Sequence, residues 1–136
     1  MDITVEQQQG RVPVTIMKLN GNLDGSNYQE VIAKGKELYT AGARYLLIDM
    51  SGVPFMGSAG LVALHNLALL MQEKQVPESE DGWSALHAAS SAAEAGKQNN
   101  VKILSPQPSV DRGLERTGMK QFFDIHTDLE AAVSSF

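Results

Sequence analysis

Ser58 is the residue with the most chemistry open to it, and its neighbours exclude much of that chemistry. It stands in Met56-Gly57-Ser58-Ala59-Gly60. A nucleophile elbow reads G-x-S-x-G and would need glycine where Met56 stands, so a Ser–His–Asp hydrolase is not encoded. The three histidines, His65, His87 and His126, lie far apart without metal-ligand spacing. Each reads as a surface or core-edge histidine. There are no cysteines, which removes disulfides, thiolate catalysis and thiolate metal sites. Neither G-x-G-x-x-G nor G-x-x-x-x-G-K-[ST] occurs, so no phosphate loop awaits a nucleotide. The expectation is a chain that is not an enzyme and carries no cofactor.

Two roles remain for Ser58. As the N-cap of a helix its hydroxyl would accept a backbone N–H bond, a commonplace worth about 1 kcal/mol. As a modification site it would exploit its small neighbours, Gly57, Ala59 and Gly60, which leave the hydroxyl open and let a partner's backbone come close. A helix start offers unpaired N–H groups and a positive dipole end, so its own chain tolerates a phosphoryl group there. That group adds about −1.5 to −2 charge to a surface otherwise small and apolar. Binding could then be switched off without unfolding the domain.

The elements that must position this serine follow from periodicity. Ile3 and Val5 alternate with polar residues, and Val12, Val14, Ile16 and Leu19 form a second β-rich run. Gln7 to Arg11 reads as the turn between them, giving a hairpin; Pro13 suggests a start at a sheet edge. Asn20 to Asn27 is dense in turn formers. Tyr28, Val31, Ile32, Gly35 and Leu38 recur at helical spacing, with Ser26 or Asn27 as cap and Gly42 as stop. Tyr45 to Ile48 is a continuous apolar run, as in a central strand covered on both faces. Strand, helix, strand implies a parallel pair. Asp49 to Pro54 breaks the pattern. A helix from about Ser58 to Glu73 carries a wide apolar stripe through Leu61, Leu64, Ala68 and Met71, so it is heavily packed or bears a contact surface.

Lys74 to Asn100 differs in composition, first acidic and turn-like, then rich in Ala and Ser. It reads as an insert at about 75–99, either a loop with a weakly docked short helix or a partly mobile segment, and Trp83 as the anchor tying it to the body or as a partner contact. Val101 to Leu104 reads as a strand, Val110 and Leu114 mark a helix ending at Gly118, and Phe122, Phe123 and Ile125 a last strand. Thr127 caps a final helix with Asp128 in its first turn. The fold class is α/β: one domain over residues 1–136, a mixed sheet of about five strands, about four helices and the inserted helical segment.

Composition bounds the setting. At 136 residues roughly two thirds of the unfolded surface can be buried, enough for a core without staples. Eleven Lys and Arg against sixteen Asp and Glu give a net charge of −5, which argues against non-specific nucleic-acid binding. The apolar runs are too short to span a bilayer, and the acidic, polar start lacks the pattern of a signal peptide. The expectation is a cytoplasmic chain without nucleic acid or membrane as partner.

Gly21 to Leu61 resembles the STAS family, the anti-sigma factor antagonist domain. Gly21-Asn22-Leu23-Asp24 is similar to the family's G-x-L-D. Leu47-Ile48-Asp49-Met50-Ser51-Gly52-Val53 is similar to its L-D-[LM]-S-x-V strand end. Phe55-Met56-Gly57-Ser58-Ala59-Gly60-Leu61 is similar to its F-[IM]-D-S-[SA]-G-L helix start, and Val110, Leu114 and Gly118 to its V-x-x-x-[LF]-x-x-x-G. The resemblance spans nearly the whole chain except Lys74 to Asn100. It implies a module of bacterial partner switching in stress or sporulation transcription. Unphosphorylated, such a domain binds an anti-sigma serine kinase and displaces the sigma factor. The kinase then phosphorylates the serine, and a PP2C-type phosphatase reverses this.

By that resemblance Ser58 is the phosphorylated residue. Asp24, Asp49, Ser51, Gly57, Ala59, Gly60 and Leu61 join it as the partner-binding set, with Asp24 and Asp49 either orienting the hydroxyl or recognising the kinase, or serving as turn-former and strand-end cap. The chain is expected as a monomer or weak dimer. Two features depart from the family. Gly57 stands where it usually has Asp, and the insert adds about twenty residues where most members have a few. The insert could serve a second contact or a dimer. A STAS-type scaffold or ligand-sensing subunit of a signalling or transport assembly, not phosphorylated, is the alternative.

Overall fold

Alternating and continuous apolar runs build one five-stranded sheet. The computed structural model describes residues 1–72 and 98–136, with residues 98 and 99 described by their backbone. Strand β1 (Asp2–Gln9) pairs antiparallel with β2 (Pro13–Asn20), in register from Asp2 opposite Asn20 to Gln9 opposite Pro13. Strands β3 (Leu46–Gly52), β4 (Gln98–Leu104) and β5 (Phe123–His126) follow in parallel, so sequence order is also spatial order. The helices among the described residues are α1 (Tyr28–Thr40), α2 (Ser58–Met71), α3 (Pro108–Arg116), α4 (Met119–Phe122) and α5 (Leu129–Ser134). This is the expected α/β architecture with a mixed sheet.

Side-chain alternation divides the sheet into two faces. Met17, Leu19, Leu46, Ile48, Met50, Val101 and Ile103 join Val31, Leu64, Leu67, Leu114 and Phe123 in the larger core. Val14, Ile16, Leu47 and Leu104 face the other way and meet Ala132 and Val133 of α5. Helix α2 is buried without interruption from Gly60 to Ala68. That accounts for its wide apolar stripe: it lies in the interior instead of presenting one face to solvent.

On the α5 face, Lys102 is buried on β4, 5% exposed. Its Nζ donates to the carbonyl and the hydroxyl of Ser135, each at 3.0 Å, and stands 3.4 Å from Asp124 and 5.0 Å from the Phe136 ring centroid. A cation at the C-terminal end of a helix is favourable, so this contact fastens α5 to the sheet.

Several expectations are corrected. β3 continues through Asp49 to Gly52, because Met50 remains in the larger core while Asp49 points to the other face. β1 extends to Gln9; its glutamines keep the backbone ladder with β2 while their side chains stay exposed. Pro13 opens β2, which is internal to the sheet, and its missing N–H is tolerated at a first strand position. β4 begins at Gln98, ahead of Val101. Asp128, not Thr127, caps α5, its carboxylate accepting the Ala131 N–H at 3.0 Å. The short α4 adds a turn that seats Met119 and Phe122 in the core, with the Phe122 and Phe123 rings edge to face at 4.9 Å. The remainder of the expected insert, with Trp83 and His87, lies outside the described residues.

His65 of α2 is buried, its ring 6.1 Å from that of Phe122, and its Nδ1 has no hydrogen-bond partner among the described residues. Burial pushes its pKa below the ordinary histidine value. The unfolded chain therefore takes up this proton first as pH falls. The stability held by the neutral ring is complete above about 6.5 and is lost as pH drops from there towards the lowered folded value. His65→Leu removes the titration, so its urea midpoint is expected to run parallel to wild type between about pH 8 and pH 7 and to gain on it as pH falls from about 6.5 to 5. Parallel midpoints across that range would show that His65 has no part in acid sensitivity.

Candidate functional site

The loop after β3 is held from two sides. Leu23 forms a bridge with Met56: the Leu23 N–H donates to the Phe55 carbonyl at 3.0 Å, and the Gly57 N–H donates to the Leu23 carbonyl at 2.9 Å. The turn carrying Leu23 is itself braced. Asp24 accepts from the Ser26 backbone at 2.9 Å and the Ser26 hydroxyl at 2.6 Å, and Asn27 accepts the Asp24 N–H at 3.0 Å. On the other side the Gln107 amide donates to the Ser51 carbonyl at 2.8 Å, and the Ser109 hydroxyl to the Pro54 carbonyl at 2.6 Å. The loop is thus held in place by contacts from within the fold.

Ser58 is the first residue of α2, and Gly57, with φ −83 and ψ −179, is its N-cap. That single-residue offset removes the capping role the sequence allowed. The Ser58 side chain is exposed, and its hydroxyl makes no hydrogen bond among the described residues. Beneath it Gly60 is buried. A Cβ there would run into Met56 and come within 3.1 Å of Leu23, so glycine lets α2 start directly on the two bridged residues. Phe55 is 53% exposed, the one exposed large apolar side chain among the described residues. Its ring lies beside Gly57, 3.8 Å from where a Cβ would stand, with Asp24 at 3.9 Å on the same side.

The first turn of α2 holds no acidic residue, so its dipole end is not offset by a carboxylate of its own. Asp24 is the neighbouring charge. The Ser26 hydroxyl first, and the Ser26 N–H second, hold its pKa below the usual carboxylate value, so it stays ionised at neutral pH.

Of the residues named from sequence, Asp24, Gly57, Ser58 and Ala59 gather around the loop. Ser51 lies at its root, where its N–H donates to Asp49 at 3.0 Å. Asp49 itself is in register with Lys18 and Leu104 and faces the α5 side of the sheet. Gly60 and Leu61 are buried and take part through packing, since neither presents a side chain to the surface. Phe55, Gln107 and Ser109 escaped the sequence reading. Phe55 stood inside a quoted motif, yet apolar type alone reads as core; Gln107 and Ser109 give no local sign of reaching more than fifty residues back.

A family model described as the STAS domain matches residues 2–77, more than half of the chain. The chain belongs to the STAS domain family. Among solved structures it is similar to a candidate anti-sigma factor antagonist from Thermotoga maritima, with 15% identity and a TM-score of 0.69 over 96% of this chain and 90% of that one. An anti-sigma factor antagonist from Mycobacterium paratuberculosis shares 19% identity, with a TM-score of 0.65 over 98% and 93% of the two chains. SpoIIAA in its unphosphorylated form shares 18%, with a TM-score of 0.63 over 96% and 92%. At these identities the likeness is one of fold. No curated protein sequence matches the chain. Among the described residues no helix is long and apolar enough to cross a membrane, and no group of His, Asp and Glu could hold a metal ion.

Gly60→Val is expected to lift α2 off Met56 and Leu23. Overpacking of this kind costs about 1–3 kcal/mol. Amide hydrogen exchange should show the Leu23 and Gly57 N–H groups, slow in wild type, exchanging several-fold faster in the variant. Unchanged protection there would mean that the glycine does not seat the loop.

Proposed function

We propose that this chain is an anti-sigma factor antagonist, a cytoplasmic protein-binding switch that acts without catalysis of its own. Unphosphorylated, it docks its Phe55–Ala59 loop on an anti-sigma serine kinase and displaces the sigma factor. Phosphorylation of Ser58 releases it, and a PP2C-type phosphatase restores it. The observation that carries this reading is the uncommitted Ser58 hydroxyl at the first position of a buried helix, three residues after the exposed Phe55 on a braced loop.

The geometry supports each step. The Ser58 oxygen attacks the γ-phosphorus of the kinase's ATP; its proton passes to a base of the kinase and ADP leaves. The side chain breaks no internal hydrogen bond in doing so. The product carries about two negative charges next to Asp24 and Phe55. Its own helix dipole tolerates them, so the fold persists. A partner surface that had closed over the Phe55 ring must instead desolvate a phosphate, and it lets go. Gly57 supplies no carboxylate of its own, so Asp24 is the acidic side chain nearest this loop residue.

With a purified anti-sigma kinase and Mg-ATP, intact mass is expected to show one added phosphate, absent in Ser58→Ala. A mass unchanged with the functional kinase would refute the switch. In calorimetry Phe55→Ala is expected to weaken kinase binding about 30-fold or more, as loss of a buried aromatic anchor does. Ser58→Asp should weaken it as well, and equal affinity for Ser58→Asp would count against release by charge.

A further inference from the structure

Among the described residues, α5 is the helix that packs on the sheet face opposite α1 and α2. Helix α5 crosses it with Ala132 and Val133 against the apolar side chains there, and Val133 reaches the β1–β2 turn at Gly10. Beside α5 lies a cleft of about 220 Å³ lined by Glu6, Ile16, Lys18, Asp49, Leu104 and Leu129. Register explains the company: Glu6 pairs with Ile16, and Lys18 with Asp49, which pairs in turn with Leu104. Ile16, Leu104 and Leu129 give the cleft an apolar floor. Around it stand two carboxylates and one ammonium. Among the described residues these charges do not pair with one another: Glu6 and Lys18 make no hydrogen bond or ion pair, and Asp49 accepts only the Ser51 N–H.

We propose that this cleft binds a small zwitterion with a branched aliphatic body, of the α-amino acid class. Lys18 meets the carboxylate, Glu6 and Asp49 meet the ammonium, and the aliphatic part lies on Ile16, Leu104 and Leu129. Size agrees, because the volume falls below the roughly 300–1,000 Å³ of sites for drug-sized ligands. Charge agrees too. A simple carboxylic acid would face two like charges, and a simple amine would leave Lys18 without a partner. An exposed Lys18–Asp49 contact formed transiently in solution would be worth only about 0–1 kcal/mol, so a ligand that displaced it would lose little. The Asp49 carboxylate holds the Ser51 N–H, and the Ser51 carbonyl holds Gln107. An occupied cleft therefore acts at the root of the loop that carries Phe55 and Ser58, and it requires no phosphorylation.

The test is a titration of the ¹⁵N-labelled chain followed by amide NMR, with L-leucine, 4-methylpentanoate and 3-methylbutylamine as probes. Leucine is expected to give saturable shifts at Ile16, Asp49, Leu104 and Leu129, and each single-charge analogue to bind about tenfold weaker or worse. Lys18→Gln, a change at an exposed position, should weaken leucine by about tenfold while the amine, relieved of a like charge, binds no more weakly than before. No saturable shift with leucine in the millimolar range would overturn the proposal. Equal affinity for the amine or for the acid would also overturn it, marking a plain cation or anion site. None of these outcomes touches the kinase experiment, so the two readings fail separately.

Discussion

Two backbone hydrogen bonds, from Leu23 to Phe55 and from Gly57 to Leu23, set where α2 begins. They join the loop after β2 to the loop after β3 at the same end of the sheet. Because main-chain groups make this bridge, it is indifferent to the side chains it displays. The interior half of the bridge, Leu23 with Met56 and Gly60, can be apolar and tightly packed. The exterior half, Phe55 with Gly57 and Ser58, lies at the surface. A buried helix then starts at a solvent-exposed residue, which is what a hydroxyl needs if it is to be reached by another protein.

The remainder of the fold serves that junction. Burial of α2 from Gly60 to Ala68 prevents the helix from sliding, and α1 and the sheet close its sides. Gln107 and Ser109 brace the loop from the start of α3, so the display depends on residues distant in sequence but adjacent in space. The opposite face of the sheet is built on a smaller scale, with α5 fastened through Lys102 and, among the described residues, Glu6, Lys18 and Asp49 of β1, β2 and β3 lining a cleft beside it.

Much of this was legible in the residues themselves. The run through Leu46, Leu47 and Ile48 marks a strand buried on both faces, and the spacing of Val31, Gly35 and Leu38 marks α1. The motif around Ser58 locates the helix start to within one residue. That one residue mattered: whether serine is the cap or follows it depends on where the Leu23 bridge pins Gly57, a long-range fact. Asp49 is the second instance. Its polarity looked like a break, whereas period-two alternation keeps the strand going and sends Asp49 to the side of Leu47. The sequence carries that parity but not which side α2 occupies. Phe55 is the third. An apolar ring in a loop is written identically whether it plugs the core or faces outward, and only packing distinguishes the two.

Gly57 has one more consequence. Its φ of −83 is one that any L-amino acid adopts, and the space beside it is open to a side chain. Glycine and aspartate codons differ by a single base. The acidic character of this surface can therefore be gained or lost in one evolutionary step, with the backbone unchanged. The charge of this surface is thereby separable from how well the domain folds.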